Sequence, residues 1–321
     1  MKTSTPHYSA PVAASSQAGV APIVWWAAAG AICFAFSAYV FGQWFLSDTA
    51  FAAVPIGPED AISDAALLKI RAVEVVSTLV ALAALYWYCL RPVLGGQKMT
   101  MEGLLLLGAL VSYVLDTSIN YFGYYMAWNK HAINFGTWGG FFPGHVGPTN
   151  YAEAWFWGPP MYIYFGVALA SIQLAAMGAI RRLSNCGFLI AMLLSFPIVF
   201  LFDLIAESII IRLGAYAWPE TVGALTLWKG EIYQFPLYES FLVGVYACMY
   251  SALMHYRDAQ GLTWIERGVD RFAGGLQLPL RFFAACGFAF LCTFIYFFGF
   301  NLFSAFADNT VTMPSYLMYA D

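Results

Sequence analysis

Charged side chains are scarce in this chain of 321 residues. Lys and Arg number 14 and Asp and Glu 18, so 10% of the residues are charged while 61% are hydrophobic. A soluble globular protein carries about 25% charged residues. With a mean hydropathy of +0.68, the composition excludes an ordinary soluble domain and a basic surface for nucleic acid. It predicts an all-α, polytopic membrane protein in contact with membrane lipid.

Residues that bind metals and cofactors are also few. The four histidines are scattered along the chain, no Glu-x-x-His occurs, and none of the six cysteines forms a C-x-x-C pair. The last apolar run contains no lysine that could bind retinal, and no glycine-rich phosphate loop is present. These absences argue against a histidine-rich hydroxylase or desaturase, a retinal protein and an ATPase. We therefore expect no metal and no cofactor.

Long apolar runs are plentiful, and each has about the 20 residues that a spanning helix needs. Residues 1–20, rich in Ser, Ala and Pro, predict a disordered tail, residues 21–307 a seven-helix membrane domain, and residues 308–321 a C-terminal tail. The predicted spans are Ile23–Leu46, Leu67–Leu90, Glu102–Trp128, a fourth that follows Glu153 and reaches Ile180, Gly187–Leu213, Pro236–Tyr256 and Leu280–Phe306.

The positions of Lys and Arg predict the orientation of the bundle. An N-terminus in the cytoplasm places nine basic residues there, against five at most on the other side. We expect an integral protein of a bacterial inner membrane with its N-terminus inside and its C-terminus outside. The segment Gly261–Gln277 alternates charged and apolar residues, which is typical of an interfacial helix or an ordinary connector.

Ionisable residues concentrate in the stretch Phe202–Ser240. Asp203 and Glu207 lie four residues apart at the end of the fifth span, and Glu239 opens the sixth. Asp116 and Asn120 have the same spacing in the third span, which places each pair on one face of an α-helix. All of them fall at the outer end of the bundle, beside the aromatic loops 129–152 and 214–235. We therefore predict a cavity, covered by a lid, on the non-cytoplasmic side.

Paired carboxylates in a dry site can divide the roles of acid and base. We predict Glu207 as proton donor and Asp203, Asp116 and Glu239 as base or as stabilisers of a cation. Asn120 is predicted to orient a substrate oxygen. The remaining residues predicted to bind substrate are Tyr121, Trp138, His145, Glu153, Arg212, Tyr216, Trp218, Tyr233 and Gln234.

Structural roles are open for several of these residues. Arg71 with Glu74, and Glu207 with Arg212, could be ion pairs that tune or stabilise the fold. The carboxylates could instead make interhelical hydrogen bonds. His145 could order its Pro/Gly loop, and Trp138 could belong to a rigid loop core.

Several motifs together resemble the AveC-like spirocyclase family, whose members are membrane proteins associated with spiroketal formation in avermectin-type polyketides. They are LDTSINY (115–121), INFGTWGGFFPG (133–144), FDLIAE (202–207), RLGAYAWP (212–219) and YQFPLYE (233–239), with RAVEVVS (71–77) in the second span. The chain differs from the family pattern at Thr117 and at His145, where we expect Pro and Trp. The resemblance implies a cyclase that needs no redox cofactor and forms a spiroketal through an oxocarbenium ion.

The sequence therefore predicts a cofactor-independent acid–base cyclase or isomerase, of lyase type where water is lost, for a lipophilic substrate. A polyketide or terpenoid in natural product biosynthesis is the expected substrate class. Two alternatives remain open: a lipophile-binding protein or proton-coupled transporter, whose acids relay protons, and an oxidase with a carboxylate-bound metal. The oligomeric state is not predicted.

The basic-residue bias gives a testable topology. A reporter fused after Asp321 is expected to be active only outside the cytoplasm. The same reporter placed in the loop after Arg182 serves as the control and should be inactive, because that loop is predicted to lie in the cytoplasm. Reversed activities would move the predicted site to the cytoplasmic face.

Overall fold

The computed structural model describes residues 20–320 and confirms an all-helical architecture. Seven helices are long and apolar enough to cross a membrane. They are α1 Pro22–Phe45, α2 Asp64–Leu94, α3 Met101–Asn120, α4 Gly158–Ser184, α5 Phe188–Arg212, α6 Leu237–His255 and α7 Gly274–Ser304. Short 3₁₀ turns outside them are Pro58–Asp60, Gly139–Phe141, Gly223–Leu225, Val269–Arg271 and Ser315–Leu317.

Local sequence sets where these helices begin and end. Pro22 occupies the first turn of α1, where its missing N–H costs nothing. Asn185 ends α4 in the left-handed conformation with φ 48°, which is tolerated by Asn better than by most residues. The third helix is α-helical over Met101–Ser112 and then 3₁₀ over Tyr113–Asn120. It therefore stops short of Trp128, the end that its apolar run predicted.

Two helices organise the bundle. α7 packs against α1, α3 and α6, whereas α4 packs against α2, α3, α5 and α6. The contact between α1 and α7 is the most extensive, and it depends on Gly30 and Gly287. A Cβ atom added at Gly30 would lie 1.7 Å from the carbonyl oxygen of Phe283. Only glycine permits backbones to approach this closely.

Three two-stranded antiparallel sheets join the loops at one end of the bundle, which we call the loop end. β1 (Ala127–Trp128) pairs with β2 (Tyr216–Ala217), and β3 (Glu220–Thr221) pairs with β6 (Asn309–Thr310). β4 (Thr226–Leu227) pairs with β5 (Phe235–Pro236). The segments 121–157, 213–236 and 305–320 thus form one layer over the helix ends.

A buried ion pair adds the loop between α1 and α2 to this layer. Lys130 Nζ lies 3.4 Å from the Asp60 carboxylate, and both side chains are buried. His131 Nε2 makes a 2.6 Å hydrogen bond to the carbonyl oxygen of Asp60. Breaking one partner of such a pair would leave a buried charge without compensation, so the pair fixes the register of the two loops.

Two segments differ from the sequence-based interpretation or extend it. Residues 261–273 contain turns and the 3₁₀ turn Val269–Arg271, so the interfacial-helix interpretation is wrong and the connector alternative holds. Residues 308–320 carry β6 and a 3₁₀ turn, and Ala320 donates to the carbonyl of Asn150. The predicted N-terminal tail lies outside the described residues except for Val20.

The α1–α7 contact predicts opposite effects of two identical substitutions. Gly30→Ala is expected to lower the free energy of unfolding by about 1–3 kcal/mol, because overpacking forces the backbones apart. Gly42→Ala in the same helix meets nothing within 4 Å and should raise it by about 0.5–1 kcal/mol. Reversible unfolding in detergent measures both; equal effects would contradict the packing argument.

Candidate functional site

A cavity lies inside the bundle at the loop end. It contains about 670 Å³ of space free of protein atoms, including the part that opens outward to solvent. Its walls come from α3, α4, α5, α6 and α7, and its roof comes from the loops. The lining residues are Asp116, Ile119, Met126, Trp128, Trp157, Met161, Tyr162, Phe165, Glu207, Tyr216, Trp218, Glu239, Tyr246, Thr293, Tyr296 and Phe297.

Three carboxyl groups meet on the α5–α6 side of the cavity. Ser240 donates a 2.7 Å hydrogen bond to Asp203 Oδ2 and lies 3.4 Å from Glu239 Oε2. Tyr296 donates to Glu239 Oε1 at 3.0 Å. Glu207 lines the cavity one helical turn from Asp203. None of the ion pairs within residues 20–320 involves these three acids.

A fourth carboxyl group enters from α3. Asp116 Oδ1 accepts a 2.8 Å hydrogen bond from Tyr162, while its Oδ2 is buried without a partner. Glu153 lies beside Asp116 and is 1% exposed, and neither of its carboxylate oxygens has a hydrogen-bond partner. Burial, and then the charge of Asp116, raise the pKa of Glu153 well above its ordinary value.

Four aromatic rings form the roof. The pairing of β1 with β2 places Trp128 opposite Tyr216, with their ring centroids 6.0 Å apart. Trp157 stacks on Tyr216 at 5.2 Å and meets Trp128 edge-on at 4.7 Å. Trp218 packs against Tyr216 at 5.6 Å. Such ring faces attract a cation within about 6 Å of their centroids.

The 3₁₀ geometry of α3 decides which of its polar residues reach the cavity. With three residues per turn, positions i and i+3 eclipse one another, and accordingly Asp116 and Ile119 both line the cavity. Asn120 points elsewhere. Its amide donates to the Met126 carbonyl at 2.8 Å and accepts from the backbone N–H groups of Tyr125 and Met126. The four-residue spacing therefore does not bring Asp116 and Asn120 to one face.

Several residues predicted to bind substrate support the loops instead of lining the cavity. Trp138 is fully buried and donates to the Val114 carbonyl at 2.8 Å. Gln234 donates to the Trp218 carbonyl at 2.7 Å. The Tyr121 hydroxyl donates to the Pro143 carbonyl at 2.9 Å. His145 Nε2 hydrogen-bonds the Pro148 carbonyl at 3.0 Å. These side chains order the roof that encloses the site.

The arginines lie outside the cavity. Arg212 is exposed, and its guanidinium stacks 4.1 Å above the Tyr233 ring and 4.5 Å above the Trp228 ring. Five residues correspond to about 140° around an α-helix, so Arg212 points away from the face that carries Glu207. Arg71 pairs with Glu74 at 2.6 Å. Glu74 also accepts from the backbone N–H of Ile133, which links α2 to the loop.

Hydroxyl groups in the spans are functional candidates that the charge-based analysis missed. Tyr162 and Tyr296 each donate to a cavity carboxylate, and Tyr246 and Thr293 also line the cavity. Tyr246 lies seven residues after Glu239, which puts both on one helical face, so the spacing in α6 could have identified it. Nothing comparable marks Tyr296, because α7 has no acid near it in sequence.

The fold and site define a seven-helix protein of membrane type with a carboxylate-lined, aromatic-roofed cavity. A family model described as "Spirocyclase AveC-like" matches residues 97–316, and the chain belongs to this family. The match covers every residue that lines the cavity, whereas the RAVEVVS segment lies before it. No curated protein and no solved structure matches the chain.

The buried Glu153 predicts a pH-dependent stability difference. Because its folded-state pKa is raised, the native state binds more protons than the unfolded state above the ordinary pKa of about 4.3, and stability falls as pH rises from there. Glu153→Gln is therefore expected to raise the free energy of unfolding at neutral pH and to lose this advantage near pH 4.3. Unfolding titrations across this range measure it. The exposed Glu231→Gln is the control, and parallel wild-type and Glu153→Gln curves would contradict the prediction.

Proposed function

We propose that the protein is an acid–base cyclase that closes a lipophilic dihydroxy ketone of polyketide or terpenoid type to a spiroketal. Membership of the spirocyclase family supports a cyclase. The observation that carries the mechanism is the convergence of Asp116, Glu207 and Glu239 on one cavity beneath four aromatic rings. This arrangement provides acids, bases and cation-stabilising surfaces in one dry space.

The reaction divides among the cavity residues as follows. One substrate hydroxyl adds to the ketone and gives a hemiketal. Glu207 donates a proton to the hemiketal hydroxyl, the C–O bond breaks, and water leaves. The resulting oxocarbenium ion lies beneath Trp128 and Tyr216, where ring faces and ionised carboxylates stabilise it. The second hydroxyl then attacks the cation and transfers its proton to Asp116. One water is lost overall, and a proton taken up from water restores Glu207, so the reaction consumes no net proton.

The hydrogen-bonded neighbours would keep the acids in different protonation states. Three carboxyl groups this close cannot all be ionised at low cost, so they share protons. Tyr296 and Ser240 donate to Glu239 and Asp203, and such donation favours the ionised form of each acceptor. Glu207 accepts no hydrogen bond within the described part of the chain, and this supports its assignment as the proton donor.

Within residues 20–320, no three His, Cys, Asp or Glu side chains are arranged to hold a metal ion. The proposed steps require only proton transfer, so the chemistry is assigned to the chain's own carboxyl and hydroxyl groups.

A symmetrical dihydroxy ketone with each hydroxyl four carbons from the carbonyl provides a direct test. It closes spontaneously to a racemic spiroketal, so enzymatic closure in vesicles is expected to show both rate enhancement and an enantiomeric excess. Glu207→Gln keeps the shape but removes the donated proton, and it should lower the rate roughly 10²–10⁴-fold. Asp203→Asn should have a smaller effect, because Asp203 is linked to Glu239 only through the Ser240 hydroxyl.

Glu231→Gln is the matched control, because Glu231 is an exposed carboxylate in the roof loop. It should cyclise the ketone at the wild-type rate. Normal turnover by well-folded Glu207→Gln would show that Glu207 is not the acid. Normal turnover by Asp116→Asn, Asp203→Asn and Glu239→Gln as well would rule out the carboxylate mechanism and favour lipophile binding or transport.

A further inference from the structure

A second polar cluster lies behind the Asp116 wall, between the cavity and the outer surface of the loop layer. It contains Glu153, Tyr151, Thr137 and His145, all from the segment 121–157. The cyclisation steps above use none of them. The first three are buried, whereas His145 is half-buried at the edge of the layer. The cluster therefore extends from the cavity wall toward water.

Glu153 is the innermost member, and it has no cation to balance a charge. The titratable groups that act on it electrostatically are Asp116, Tyr113, Tyr124 and Tyr151, and no ion pair of residues 20–320 includes it. Two adjacent buried carboxylates cannot both be ionised at low cost. Protonation of Glu153 removes the cost of two adjacent charges, because the neutral acid can then donate to the unpartnered Oδ2 of Asp116.

Tyr151 and Thr137 continue the cluster outward. Tyr151 is fully buried, and its hydroxyl group has no fixed hydrogen-bond partner although Glu153, Thr137 and Asn120 lie near it. A carboxylic acid and two hydroxyl groups in sequence can each accept one proton and release another. A proton can therefore move along these groups without any charged side chain changing its position.

Gly139 separates Thr137 from His145. A Cβ atom placed on Gly139 would lie 3.4 Å from His145 Nε2 and 3.6 Å from Thr137 Oγ1. The missing side chain thus leaves the two polar atoms facing one small gap. His145 Nδ1 is buried without a partner, and burial lowers the pKa of this imidazole. Because Nε2 donates to the Pro148 carbonyl, a neutral His145 accepts a proton at Nδ1 and releases the one on Nε2 to water.

We infer that Glu153, Tyr151, Thr137 and His145 form a proton path that connects Asp116 to water at the loop end. Its purpose rests on the proposed cyclisation, in which each turnover leaves the second hydroxyl's proton on Asp116. That proton passes to one oxygen of Glu153 while another leaves from its second oxygen to Tyr151, then through Thr137 and His145 to water. One proton enters the path, one leaves it, and no electrons are transferred.

The first test concerns the protein alone, without substrate. Infrared spectra of the purified protein in lipid nanodiscs at neutral pH should contain the carbonyl stretch of a protonated carboxylic acid that disappears in Glu153→Gln. In Asp116→Asn the band should shift, because its hydrogen-bond acceptor changes. A spectrum unaffected by Glu153→Gln would mean that Glu153 is ionised, and this would overturn the inference.

The second test measures the outward connection. On dilution into D₂O the Glu153 band shifts as its proton is exchanged. Gly139→Ala fills the gap between Thr137 and His145 with only ordinary contacts, so it should fold normally and exchange severalfold more slowly. Gly140→Ala is the matched control, since its Cβ would meet only Thr149, at 3.5 Å. It should exchange at the wild-type rate.

Equal exchange rates in Gly139→Ala and Gly140→Ala would overturn the path through His145. The spectroscopic results do not depend on turnover, so they separate this inference from the proposed reaction. If Glu207→Gln lowers ketone cyclisation and the band tests fail, only the proton path is rejected. If the band tests succeed and no ketone is cyclised, the path stands and the proposed reaction falls.

Discussion

Four buried carboxyl groups, those of Asp116, Glu153, Asp203 and Glu239, and the half-buried Glu207 have no cationic partner. This is the constraint on which the rest of the structure depends. A carboxylate in a low-dielectric environment is stable only if it is protonated or receives hydrogen bonds. Here Tyr162, Ser240 and Tyr296 supply the donors to the acids of the spans, while Glu153 receives none. Arg212 stacks on aromatic rings and Arg71 pairs with Glu74 within α2, so neither neutralises these acids. The acids therefore keep the capacity to exchange protons with a ligand or with one another.

The layer of loops over the helix ends encloses these acids. Three small sheets and the Lys130–Asp60 pair hold four separate chain segments over the helix ends. Short strands of two residues have little stability of their own, so their persistence depends on the packed rings of Trp128, Trp157 and Tyr216 beneath them. The same rings line the cavity. The same side chains therefore hold the roof together and can stabilise a cation.

The two ends of the bundle differ because the helices are held together by different means. Away from the loop end, α1 and α7 meet through backbone contacts at Gly30 and Gly287. At the loop end, the cavity lies between α3, α4, α5, α6 and α7. Tyr246 and Thr293 lie at its lining, and the Tyr246 hydroxyl lies 3.2 Å from that of Tyr250 deeper in the bundle. Polar groups therefore continue below the cavity floor.

The sequence by itself determined the class of protein, the seven apolar helices, the concentration of acids at one end, and the family. Those properties follow from composition, run length and α-helical spacing, which are local. It could also place Glu207 and Asp203 on one face, because α5 is a regular helix there. Tertiary structure alone decided that Asn120 points away from Asp116, that Arg212 points away from Glu207, and that Tyr162 and Tyr296 bind the acids. It also placed Glu153, which the sequence predicted to bind substrate, beside Asp116 and outside the cavity lining. These directions are set by the local change to 3₁₀ winding in α3 and by contacts between residues up to 57 positions apart in sequence. Neither leaves a periodic pattern in the sequence.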